Sequence, residues 1–181
     1  MKTKIIVALS FLVFALSSCH RADEDLDVLS QEEISNIVLL LKDDQTGEVK
    51  AYNYTANAYD LPKVKLEIGK SYTADLVFKN GDEDLNSEIL AAKDEHFLLF
   101  NFQNAQVELS RLDGANDLRS DGVKVGLKTK WKVLDMQPSG AQLILTMNHG
   151  AISVSESQNN TTFGHAEGGE TDAEAFFDLI F

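Results

Sequence analysis

Three of the four histidines in this chain are spread among carboxylates: His96 follows Asp94 and Glu95, His149 precedes a stretch whose only charges are Glu156, Glu167, Glu170 and Asp172, and His165 lies within that stretch, shortly before Glu170 and Asp172. Imidazole nitrogen and carboxylate oxygen form a donor set that divalent transition metals accept, zinc readily among them. The candidate ligands are His96, His149, His165, Glu170 and Asp172, with Asp94 or Glu95 placed to orient a ligand histidine from behind. No H-x-x-x-H spacing puts two of them on one local element, so separate parts of the fold must bring them together. A plainer arrangement fits the same residues: two histidines each hydrogen-bonded to a nearby carboxylate, and a third with no role.

Other chemistries find less to work with. Asp43 to Glu48 and Asp113 to Gly122 contain acidic turns, but neither has the Asp-x-Asp-x-Asp-Gly spacing of a calcium loop, and Asx turns account for them. No Gly-rich phosphate loop precedes a helix, and no G-x-S-x-G elbow exists. No nucleophile, base and orienter can be assembled, so the expectation is a protein that is not an enzyme.

Cys19 is the only cysteine. It follows Leu16-Ser17-Ser18, preceded by an apolar run from Ile5 and by Lys2 and Lys4. Charged start, short apolar run and small residues before the cut describe a secretory signal, and the run is too short to span a bilayer comfortably. A cysteine directly after Leu-Ser-Ser resembles the lipobox of bacterial lipoproteins, although Ser18 stands where Gly or Ala is commoner. The resemblance implies loss of residues 1–18 and a diacylglycerol on Cys19. With that thiol acylated, disulfides, thiolate zinc sites and cysteine nucleophiles are excluded.

The net charge of −13 becomes −15 once Lys2 and Lys4 leave with the signal. Such a chain does not seek nucleic acid or anionic headgroups; it attracts cations and basic surfaces. Residues 19–33 are polar and acidic, with Asp23, Glu24, Asp25, Asp27, Glu32 and Glu33, and read as a tether. An acidic cluster just after the lipid cysteine also resembles the signal that sends some Bacteroidota-type lipoproteins to the cell surface.

From residue 34 to 181 the pattern predicts one all-β domain, an antiparallel, immunoglobulin-like sandwich of about nine strands. The strands are expected near 35–42, 48–54, 64–68, 72–79, 96–102, 107–112, 126–133, 141–149 and 174–181. Leu127, Thr129, Trp131 and Val133 alternate with Lys128, Lys130 and Lys132, a pattern with one face inward. Leu98, Phe100, Trp131, Leu143, Leu145 and Phe177 are the expected core. One short helix is expected between Asp84 and Ala92, with Leu85 and Ile89 four apart. Leu66-Glu67-Ile68-Gly69-Lys70-Ser71-Tyr72 has the form of a tyrosine corner. Residues 151–172, rich in Ser, Asn, Thr and Gly, read as a long loop.

If strands alternate in direction, the longer connections 55–63, 80–95, 113–125 and 150–173 gather at one end. They hold fourteen Asp and Glu against Lys63, Lys93, Arg119 and Lys124, a net of −10. His96 and His149 share parity with apolar rows and should lean inward at the rim of that end.

Asp94-Glu95-His96-Phe97, Gly122 to Leu127, Met147-Asn148-His149-Gly150 and Gly169-Glu170-Thr171-Asp172, in that order, together resemble a family of small Bacteroidota lipoproteins. These often carry the label "type 1 periplasmic binding fold superfamily", a name that implies an α/β domain pair the residues do not support. Asn148-His149-Gly150 departs from the family's His-Gln-Pro form. The resemblance implies an outer-membrane lipoprotein without catalysis and with no established ligand. The expectation is thus a lipid-anchored binding or accessory domain at the periplasmic face or cell surface, serving an outer-membrane uptake receptor. The alternative is a structural or adhesive surface domain with no small-molecule ligand.

Overall fold

Alternation is what turns this sequence into sheet. Between Ser71 and Asn80 every second residue (Tyr72, Ala74, Leu76, Phe78) is buried and its neighbours are not, the signature of a strand with one face on a core. The computed structural model describes residues 34–181. The expected signal, Cys19 and the tether lie outside the described residues.

Repeated along the chain, this pattern gives β1 (Asn36–Asp43), β2 (Val49–Thr55), β3 (Lys63–Lys65), β4 (Ser71–Asn80), β5 (Glu83–Asp84), β6 (His96–Gln103), β7 (Ala105–Arg111), β8 (Lys128–Met136), β9 (Gln142–His149), β10 (Ser153–Asn159), β11 (Thr162–Glu167) and β12 (Glu170–Ile180). One sheet runs β2-β1-β4-β8-β7, with β5 paired to β4; the other runs β10-β11-β6-β9-β12-β3. The result is an all-β sandwich. All the pairs are antiparallel except β3 with β12, where Val64 lies beside Leu179 in parallel register.

The inner faces meet over Leu98, Phe100, Phe102, Trp131, Leu143, Leu145 and Phe177, all buried, including every core residue expected from the pattern. Trp131 donates from Nε1 to Thr129 Oγ1 at 2.8 Å and meets Phe102 edge-on, with ring centroids 5.2 Å apart. A buried Trp of this kind is worth about 3–5 kcal/mol against alanine. The tyrosine corner forms as expected: Tyr72 accepts a 3.0 Å hydrogen bond at its hydroxyl from the Glu67 amide.

The one α-helix among the described residues, α1 (Asn86–Ala91), falls inside the expected segment, with Leu85 and Ile89 buried. Asn86 fixes its start: the side chain accepts from the Phe78 amide and donates to the Leu76 carbonyl, which sews the helix to β4.

One expectation is corrected. Residues 151–172 are not a long loop; they form the β10–β11 hairpin and the first residues of β12. The hairpin turns at Asn160, whose φ of 54° suits an asparagine better than most residues. Its strands touch the core at few points, and β11 pairs with β6 only through Thr162 and Phe163. Without an apolar face there is no period-two hydrophobic signal, so the backbone pairs where the side chains announce nothing. Among the described residues the total accordingly rises to twelve strands, β5, β10 and β11 being the additions.

Candidate metal centre

β6 and β9 are direct neighbours, and their register places His96 opposite His149 at the end of the ladder. Both side chains lie on the inward-facing parity of their strands, in line with Leu98 and Phe100 on one and Leu145 and Met147 on the other. His96 is only 1 % exposed, whereas the His149 side chain keeps 20 % of its surface. Their ring centroids are 5.1 Å apart, with the planes inclined at 43°.

Asp172 reaches the pair through a β-bulge. On β12, Thr171 pairs with Asn148 and Ala173 with Met147, which leaves Asp172 as an extra residue between them. A bulge re-aims side chains. Here it makes two consecutive residues, Asp172 and Ala173, point inward where strict alternation would turn one of them out. Asp172 Oδ2 comes to lie 3.1 Å from His149 Nδ1 and 3.7 Å from His96 Nε2. One donor atom from each of the three residues falls within 4.8 Å of the other two.

Hydrogen bonds to the far side of each ring decide what the near side offers. His96 Nδ1 is 3.0 Å from the Ala92 carbonyl, an oxygen that only accepts, so Nδ1 carries the proton. Burial holds the His96 pKa below its ordinary value, and the neighbouring His149 pushes the same way, against the pull of the Ala92 and Ile89 carbonyls. The neutral ring then turns the Nε2 lone pair toward the Asp172 carboxylate. Nε2 is fully buried and has no hydrogen-bond partner among the described residues. A buried lone pair facing a carboxylate forms a donor pair that a cation between them would satisfy. Tetrahedral zinc bonds of ~2.0–2.1 Å put ligand atoms about 3.3 Å apart; the two separations from Asp172, 3.1 and 3.7 Å, bracket that value, and the two ring nitrogens lie within 4.8 Å of each other.

His149 is braced in the manner metal-binding histidines commonly are. Its Nε2 lies 3.1 Å from Glu95 Oε2, a carboxylate behind the ring that leaves Nδ1 directed at Asp172. Glu95 and Ala92 both belong to the short turn between α1 and β6. That turn is tied down by the Gly150 amide on the Glu95 carbonyl at 2.8 Å, and by the Ser120 amide on Asp94. Arg119, itself buried, donates to the His96 carbonyl at 3.1 Å. Connections 80–95 and 113–125 therefore meet at the end of the sandwich that holds the histidines.

Of the expected ligands, the fold brings together His96, His149 and Asp172. Glu170 is paired with His149 across the β9–β12 ladder, yet it is exposed and outside the cluster. His165 is exposed on β11, opposite Ser155 of β10, and also outside it. Glu95 takes the orienting position that was open to it or Asp94; Asp94 caps Ser120 instead. The Ala92 carbonyl and the bulge went unanticipated; the inconsistent parity of Asp172 with Ala173, Ala175 and Phe177 was a signal for the bulge, and the carbonyl left none.

Beside the cluster is a half-open cavity of about 530 Å3 between the start of β1, the end of β2 and the start of β12, and Asp172 forms part of its wall. Ile34, the first described residue, lines the same cavity. Comparison with protein-family models, curated proteins and solved structures finds no match to this chain.

Proposed function

We propose that this protein is a lipid-anchored outer-membrane accessory domain that binds a divalent transition metal through His96, His149 and Asp172. The observation that carries the reading is the buried Nε2 lone pair of His96 directed at a carboxylate 3.7 Å away. Two nitrogens and one oxygen select zinc, copper or nickel over calcium and magnesium, and zinc is the simplest occupant. The acidic loops raise the local cation concentration around the site. Because the chain enters the domain at Ile34, against the cavity that Asp172 lines, an anchor at Cys19 would hold this end toward the membrane. That orientation favours a membrane-embedded receptor as partner.

Calorimetric titration of zinc into metal-free protein at pH 7.5 tests the reading. Micromolar or tighter binding, abolished by His96→Ala and by His149→Ala and weakened at pH 5.5, is the expected result. Equal weak binding in wild type and both variants would favour the other reading, a structural or adhesive surface domain whose acidic loops only keep it soluble.

A further inference from the structure

We propose that Asn80 is a site of spontaneous deamidation and that the Ser35 hydroxyl governs its rate. Asn80-Gly81 is the only Asn-Gly pair in the chain. Glycine after asparagine leaves the backbone nitrogen open to the side-chain amide, because no Cβ blocks the approach. Both residues are exposed, and a Cβ built on Gly81 would meet nothing within 4 Å. In the reaction the Gly81 nitrogen attacks Cγ of Asn80, gives up its proton and expels the side-chain nitrogen as ammonia. Water then opens the five-membered imide at either carbonyl and leaves aspartate or isoaspartate.

The fold puts a latch on that nitrogen. Asn80 ends β4 and pairs with Glu83 of β5, so Gly81 and Asp82 form a two-residue hairpin turn. Gly81, at φ of +60°, takes the first central position, where such turns favour glycine. Its amide donates to Ser35 Oγ at 2.8 Å, and the Ser35 amide donates to the Lys79 carbonyl, also at 2.8 Å. The Ser35 hydroxyl spends its own proton on Asn36 Oδ1 and so is left accepting from Gly81. An amide held in this way must be released before it can lose its proton and attack. Ser35 lies just ahead of β1, so the releasing step is detachment of the start of β1 from the end of β4, the kind of local opening that strand ends undergo most easily. Asn86 provides the contrast: its side chain accepts from the Phe78 amide and donates to the Leu76 carbonyl, and cannot turn on its own backbone without leaving β4. Isoaspartate at position 80 would lengthen the backbone by one carbon and add a charge beside Asp82, Glu83 and Asp84. A two-residue turn has no slack for the extra atom, so the pairing of β5 with β4 would be lost.

Incubation of full-length protein at pH 8 tests this, with peptide mass spectrometry to follow each asparagine and enzymatic methyl transfer to count isoaspartate. In wild type, Asn80 should convert sooner than any other asparagine. Ser35→Ala should speed conversion at Asn80 about fivefold, the factor expected when one hydrogen bond is lost. Ser35→Thr, which keeps a hydroxyl, should stay near the wild-type rate. Asn86 reports opening of the whole domain: equal acceleration of Asn80 and Asn86 in Ser35→Ala would mean a less stable fold and would overturn the role of Ser35. Equal Asn80 rates in all three proteins would overturn it as well. An Asn80 that converts no faster than the other asparagines would overturn the modification site itself.

Discussion

His96 and His149 face each other as direct cross-strand partners, 5.1 Å apart at their ring centroids, yet one is sealed in the core and the other reaches solvent. The sealed ring makes stability depend on pH. Its pKa in the folded protein is lowered, first by burial, whereas in the unfolded chain it titrates near 6.5. Above about pH 6.5 the ring is neutral in both states and contributes no slope. Below that value the unfolded chain takes up a proton that the folded protein resists, so stability falls until the pH passes the folded pKa. Urea denaturation of metal-free protein at pH 7.5, 6.5 and 5.5 should show this decline, and His96→Leu should flatten it.

Gly169→Ala is expected to damage the metal site without removing a ligand. Gly169 has φ of +75°, and a Cβ there would lie 2.3 Å from the His149 carbonyl and 2.7 Å from Asn148 Oδ1. Relief of that clash must move the end of β9 or the start of β12, the two segments that carry His149 and Asp172. Zinc affinity should drop about tenfold, roughly 1.4 kcal/mol, while Gly47→Ala, at a turn with open space around it, leaves zinc binding unchanged.

Arg111 should be among the costliest side chains to remove. It is 3 % exposed, donates to the carbonyls of Val125 and Leu98, and lies over the Phe97 ring at 4.2 Å. Burial pushes its pKa down to about 10, which still leaves it charged at neutral pH. Arg111→Met would strip the Leu98 carbonyl of this donor and leave the Val125 carbonyl with the Leu98 amide alone, at about 2 kcal/mol in total. Arg111→Lys should recover only part of this, because an ammonium lacks the planar fork that serves both carbonyls. Chemical denaturation of the three proteins measures the order.

Cys19→Ala should release the protein from the membrane fraction. Two acyl chains give stable attachment where one is marginal, and among the described residues no helix is long and apolar enough to cross a bilayer. A Cys19→Ala protein that stays membrane-bound would mean that the apolar run from Ile5 to Leu16 acts as an anchor.

The strands of this fold were legible wherever one face meets the core. Leu143, Leu145 and Met147 announce β9, and Leu98, Phe100 and Phe102 announce β6, because burial imposes period two on the residues. β10 was not, because Ser153 to Asn159 gains its order from a neighbour's backbone while its side chains stay wet. The site divides in the same way. His96 and His149 could be placed at the inner rim by counting along their own strands. The preference for Asp172 over Glu170 depended on a register shift between two strands, a relation that neither strand carries alone. The tautomer of His96 depended on a carbonyl four residues upstream, which any residue at position 92 would supply.

That register shift has a consequence in arithmetic. With one residue fewer between Gly169 and Ala173, β12 would pair with β9 without interruption, and Asp172 would take the place now held by Thr171, facing away from the histidines. The sheet, the core and every other ligand would be unaltered. A deletion of Thr171 alone should therefore switch the site off, and a homologue lacking one residue here would keep both histidines and an aspartate in sequence while having no place to put an ion. What the chain encodes at this point is a number as much as a set of side chains.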